Sequence, residues 1–188
     1  IFFVALLPVW LYAHRFGGRP VAQRTLLLMS IFPTAFFFNA VYTEPLFLLL
    51  SATALLALYR SHYLISGTVG FLASLTRPAG VLLVFPFLIR LWRTYSGNFR
   101  HLVTRGWPIV LVPLGLFSYM AFLWYEFGRP LAFLEVQEAW GHVQMLPTTA
   151  IIESFRYLIE TPDRDVFFVM GAVNTFLTVW ALVMAFII

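Results

Sequence analysis

Apolar runs dominate the chain, and the polar breaks between them set how many helices it can form. A helix rises about 1.5 Å per residue, so about 20 apolar residues cross a bilayer core of about 30 Å. Two runs, 106–125 and 166–188, are long enough to cross unaided. The stretch between them, 126–165, holds seven of the eight acids and no uninterrupted apolar run of that length, which predicts a loop with helices of its own. Upstream of both, an opening run (IFFVALLPVW) leads into apolar segments broken at FPTAFFFNAVYTEP (32–45) and LTRP (75–78). These breaks predict two helical hairpins, 25–60 and 62–93; the alternative for either is one long tilted helix. The second hairpin has arms of about 14–16 residues, about 21–24 Å of helix, so its tip stops short of the far surface of a bilayer.

Charge decides between hairpin and single helix. With both hairpins, Arg15, Arg19, Arg24, Arg60, Arg90, Arg93, Arg100 and Arg105 fall on one side with no acid among them. By the positive-inside rule that side is cytoplasmic. The other side then holds all eight acids, with Arg77, Arg129, Arg156 and Arg164. Replacing either hairpin by one span destroys this segregation. The expectation is an all-α, polytopic helical membrane protein: one transmembrane domain over 1–188, about seven membrane segments, and a large extracytoplasmic helical loop at 126–165. Backbone that breaks at membrane depth is tolerated where protein buries it or a water-filled cavity receives it. The charged tips Glu44 and Arg77 therefore predict a cavity open to the outside.

Composition points the same way. The 188 residues are 61% hydrophobic and 11% charged, against roughly 45–50% and about 25% in an ordinary globular domain. A particle this small cannot enclose so much apolar side chain away from water. Cysteine is absent and all 12 basic residues are arginine, so disulfides and thiolate metal sites are excluded. The four histidines (His14, His62, His101 and His142) lack metal-ligand spacing, and no metal or cofactor is expected. No Walker loop, Gly-x-Gly-x-x-Gly or Gly-x-Ser-x-Gly motif occurs. The arginines are explained by topology and anionic lipid, so no nucleic-acid partner is expected.

Several positions carry candidate chemistry, each with a structural alternative. In VYTEP (41–45), Thr43 can cap the following helix, with Glu44 in its first turn and Pro45 near the first helical position. That reading makes Glu44 a carboxylate on a helix dipole; a functional one follows from the cost of an ionisable group near the membrane interior. Arg77 precedes Pro78, which places its guanidinium at a bend. It suits phosphate, or it snorkels to outer headgroups or pairs with Glu44. The segment 131–145 is amphipathic at helical spacing, with Ala132, Val136, Ala139, Trp140 and Val143 on one stripe and Glu135, Glu138 and His142 on another. It reads as an interfacial helix, although Gln137, Trp140 and His142 also offer the amide, aromatic face and imidazole of a sugar site. Arg156 is spaced to bridge Glu153 and Glu160. Asp163-Arg164-Asp165 superficially matches a metal-binding Asp-x-Asp but reads as a helix cap.

Three strings, FPTAFFFNAVYTEPLFLLLS (32–51), GFLASLTRPAGVLLVFP (70–86) and FGRPLAFLEVQEAWG (127–141), together resemble the PIG-V-type mannosyltransferases. That family includes the second mannosyltransferase of GPI-anchor synthesis and prokaryotic relatives. Their order and spacing agree with the family over nearly the whole chain. The resemblance implies a GT-C-class glycosyltransferase that takes its sugar from a polyprenyl phosphate and acts on the extracytoplasmic or lumenal face. It also implies that the main catalytic acid lies in a loop upstream of Ile1, the chain being an internal fragment. Carried over by motif, Tyr42 and Glu44 line the cavity, with Glu44 the one membrane-depth carboxylate for catalysis. Arg77 faces the donor phosphate, and Arg129, Gln137, Trp140 and His142 shape the sugar or acceptor site. The partners implied are the polyprenyl-phosphate sugar donor, a lipid-linked or glycan acceptor, membrane lipids and an accessory membrane subunit. The absence of lysine points to a GC-rich prokaryote and so to the plasma membrane; in a eukaryote the membrane is the endoplasmic reticulum. The alternative function is a multi-span lipid or solute transporter using the same outward cavity, since transporters pair broken helices.

Overall fold

The structure, a computed structural model, describes residues 1–31, 33–38, 42–95 and 99–139, with isolated helical positions between 149 and 179. Among the described residues every regular element is helical. The chain divides into two units, Ile1–Leu131 and Ala132–Ile188.

The first unit begins with α1, Phe2–Ile31, which is two arms joined at Gly17 and Gly18. Gly18 sits at φ 66°, ψ −160°, a conformation essentially reserved for glycine. Pro20 follows at once, where its missing N–H costs the second arm nothing. Phe2 stacks on Phe38 at 5.1 Å, while Tyr12 and Phe16 lie 6.5 and 6.1 Å from Tyr59. The first arm therefore runs the same way as α2, Glu44–Tyr59, and the second arm returns. A 3-10 segment, Pro33–Phe38, lies in the break between them.

Three residues, Arg60 to His62, turn α2 into α3, Tyr63–Thr76. The Ser61 N–H donates to the Leu58 carbonyl at 3.0 Å and the His62 N–H to that of Ala57 at 2.9 Å, which satisfies the carbonyls at the end of α2. Ser61 adopts φ 61° to do this, in the left-handed region that glycine usually fills.

Helix α3 is central, with α2 and α6 (Leu111–Phe127) both packed against it. The contact with α6 and the 3-10 turn that precedes it is backbone-close: a Cβ on Gly67 would strike the Pro108 carbonyl in that turn, and one on Gly115 of α6 the Phe71 carbonyl. These contacts advance together along both helices, so α3 and α6 run parallel. Toward α2, the buried Ser66 hydroxyl donates to the Ala54 carbonyl at 2.9 Å. Small residues and cross-helix hydroxyls are how helices associate where apolar burial supplies little force.

Pro78 ends α3 at Arg77, which is extended at φ −146°, ψ 136°. A 3-10 turn, Pro78–Leu83, leads into α4, Val84–Tyr95. The Tyr63 ring lies 5.9 Å from Phe87 and 6.1 Å from Tyr95, so α4 runs back along α3. Leu58, Tyr63, Phe87 and Leu91 form the core at this end. The breaks at 32–45 and 75–78 thus fall where hairpins were expected. The descending arm of the second is shorter than expected, because the six residues after Arg77 are wound as 3-10 helix.

After α5, Phe99–Gly106, and a short 3-10 turn, Trp107–Val110, the chain enters α6. The stretch Arg100–Phe127 is the one helix among the described residues long and apolar enough to cross a membrane. It contains the expected run 106–125 and extends past it at both ends. Helices α2 and α3 are apolar but shorter, at 16 and 14 residues. Many large apolar side chains face outward, among them Phe3, Phe85, Trp92, Phe122, Trp124 and Phe127. In the second unit, α7 covers Ala132–Ala139, within the expected amphipathic segment. The expected span 166–188 lies outside the described residues except at 173, 175, 176 and 179.

Candidate functional site

Glu44 and Arg77 meet across the two helical breaks. Glu44 is the first residue of α2, with Pro45 behind it. Thr43 occupies the cap position, but its side chain makes no capping bond, a correction to the cap expected from VYTEP. Its φ and ψ, −83° and −8°, are helical rather than extended, which turns the hydroxyl away from the first-turn N–H groups. Its carbonyl instead accepts from the Phe47 N–H at 2.9 Å. Arg77 is tied on both sides by its backbone: its N–H donates to Ala73 at 3.0 Å and its carbonyl accepts from Gly80 at 2.8 Å. This fixes the root of the guanidinium at the end of α3.

The Arg77 Nη1 donates to Glu44 Oε1 at 2.6 Å, with the arginine side chain 41% exposed and the glutamate 25%. Each charge also faces a favourable dipole, the carboxylate at the start of α2 and the guanidinium at the end of α3. The pairing is one-toothed. Glu44 Oε2 is buried and has no hydrogen-bond partner among the described residues. A guanidinium carries five N–H donors, and one of those of Arg77 is used here. The site thus offers spare donors on a half-exposed cation beside an unused carboxylate oxygen. That combination can hold an anionic oxygen and accept a hydroxyl proton side by side.

Of the other expected site residues, Tyr42 is 59% exposed two positions ahead of Glu44, its ring edge-on to Phe37 at 5.6 Å. Arg129 is exposed just beyond Gly128, the left-handed cap of α6. Gln137 lies in α7 in the second unit. Trp140, His142, Asp163, Arg164 and Asp165 lie outside the described residues. Arg156 approaches Glu153 at 3.9 Å, one half of the bridge expected there; Glu160 lies outside the described residues.

The other end of the first unit is basic. Arg15 and Arg90 lie over the Tyr59 ring at 6.0 and 5.6 Å, and Arg90 also donates to the Tyr59 carbonyl at 3.1 Å. Beside them a groove of about 310 Å³ is lined by Ser61, His62, Thr104, Arg105 and Trp107, among others. Sequence reasoning missed this groove, since topology already accounted for the arginines and His62 stood alone. The signal was present in the polar Arg60-Ser61-His62 between two apolar helices. No protein-family model matches the chain, and no curated protein and no solved structure matches it either.

Proposed function

We propose that the chain belongs to a multi-pass membrane glycosyltransferase that moves a sugar, mannose by the sequence resemblance, from a polyprenyl phosphate to a lipid-linked or other extracytoplasmic acceptor. The Glu44–Arg77 pair carries this reading. It joins the tips of the two helical hairpins, at the end of α2 opposite the cluster of Arg15, Arg90 and Arg105. If the arginine end is cytoplasmic, the pair faces outward. The exposed apolar side chains along α1 to α6 suit lipid as their solvent. The shorter helices suit hairpins buried against one another, and in this reading they make up about seven membrane segments together with the run at 166–188.

The acceptor hydroxyl attacks the anomeric carbon, the bond to the donor phosphate breaks, and the phosphate leaves as an anion. Arg77 is placed to stabilise that anion through its spare N–H groups. Glu44 Oε2 is placed to accept the hydroxyl proton or to orient the acceptor. Tyr42, Arg129, Gln137, Trp140 and His142 are the proposed sugar and acceptor contacts.

The test is transfer of labelled mannose from polyprenyl-phosphate mannose by the full-length protein in lipid. Arg77→Ala should lower turnover by roughly a hundredfold or more, the usual cost of losing a transition-state donor. Glu44→Gln should lower it by about a hundredfold, with melting temperatures close to wild type. Wild-type protein that transfers nothing from any polyprenyl-phosphate sugar would sink the enzyme reading and leave a transporter that uses the ion pair as a gate.

A further inference from the structure

The groove at the basic end is lined by both polar and apolar side chains. The polar ones are Ser61 and His62 from the α2–α3 turn and Thr104 and Arg105 from the last turn of α5; beside them stand Tyr63, Leu64, Ile65, Trp107 and Pro108. Leu64, Ile65 and Trp107 are each more than half exposed, so the apolar lining continues onto the outer surface. No acid contributes to the lining, and among the described residues Arg105 pairs with no carboxylate. A groove of about 310 Å³ is at the lower end of the range for small-ligand sites, enough for a compact headgroup.

The donors can be sorted. Thr104 already donates its hydroxyl proton to the Arg100 carbonyl at 2.9 Å, so it can only accept. Anion binding therefore falls to the Arg105 guanidinium, one ring N–H of His62 and the Ser61 hydroxyl, all from residues that line the groove. Ser61 adopts its left-handed backbone in the three-residue turn that lines the groove together with the end of α5. A free phosphate would use the polar side chains of the lining and leave the apolar ones uncovered. A molecule with a phosphate at one end and hydrocarbon at the other uses both, and an exposed Trp beside a basic residue is the usual furniture of a membrane interface.

We propose that this groove seats an anionic phospholipid, its phosphate against Arg105, His62 and Ser61 and its acyl chains along Leu64, Ile65 and Trp107. The inference rests on the membrane reading above but not on the enzymatic one. It makes the basic end a specific lipid site, whereas topology alone would spread the attraction over every arginine there.

Full-length protein in detergent, titrated with phosphatidylglycerol or phosphatidylcholine of the same acyl chains and followed by native mass spectrometry, tests this. The expected result is a retained phosphatidylglycerol adduct that binds at least tenfold more weakly to Arg105→Gln. It should be unchanged by Arg93→Gln, which removes an exposed arginine outside the groove. His62→Gln should weaken the adduct as well, and serves if Arg105→Gln does not fold. Equal binding to wild type and both groove variants overturns the proposal, as does equal retention of phosphatidylcholine. Displacement of the lipid by millimolar inorganic phosphate would reassign the groove to a free anion. Extraction of the chain from membranes by alkaline carbonate would overturn the membrane reading and this site together, whereas loss of sugar transfer with the adduct intact would touch only the enzyme.

Discussion

A carboxylate and a guanidinium in contact at 2.6 Å can be a strut or a working pair, and exchanging the two tests the distinction independently of the single substitutions. In Glu44→Arg/Arg77→Glu the attraction survives, so melting should recover most of the roughly 1–3 kcal/mol that either single reversal costs. Transfer should stay lost, because a carboxylate now faces the departing phosphate. Recovery of both would make the pair purely structural. The partnership of these residues was legible in the sequence as one of three fates for Arg77, since proline placed both at helix breaks. The one-toothed geometry was not, because which oxygen is left over depends on the angle at which α2 and α3 meet. Thr43 shows the converse: the residue type suited a cap, but the backbone dihedrals deny it one.

Helix α3 depends on closeness. Gly67 lets it reach the Pro108 carbonyl in the turn before α6, Gly70 leaves room for the Val112 side chain, Gly115 of α6 reaches its Phe71 carbonyl, and Ser66 ties it to α2. Gly67→Leu should therefore cost about 3 kcal/mol by forcing the Pro108 carbonyl away, while Ser66→Ala should cost about 1 kcal/mol. Thermal melting of the full-length protein reads both, and a neutral Gly67→Leu would mean the two helices are not packed there. The hairpin breaks were legible because FPTAFFFNAVYTEP and LTRP place proline, charge and polar groups inside apolar runs. The second arm of α1 was only partly so. It begins after Gly18, several residues ahead of the expected 25: Arg19 and Arg24 lie within the helix, arginine being a good helix former.

For the whole molecule the open question of sidedness has a clean probe, since the 188 residues contain no cysteine. Thr43→Cys should react with an impermeant maleimide from outside, and Thr94→Cys only after the membrane is opened. Labelling of both from one side would refute the hairpin topology. The separation of Glu44–Arg77 from the arginine end, about 24 Å along a 16-residue α2, was legible from charge placement alone. The groove was not, because His62 and Arg105 are distant in sequence and meet only when α5 folds back beside the turn. The same geometry makes α2 and α3 a closed loop, joined covalently by Arg60, Ser61 and His62 at one end and by charge at the other. A phosphate that takes up the spare N–H groups of Arg77 shares that cation with Glu44, so the carboxylate's negative charge repels it and costs part of its binding energy. Glu44→Gln removes that repulsion in advance. The expected signature is a lower KM for the polyprenyl-phosphate donor together with a lower kcat: a ligand held more tightly by a site that uses it less well.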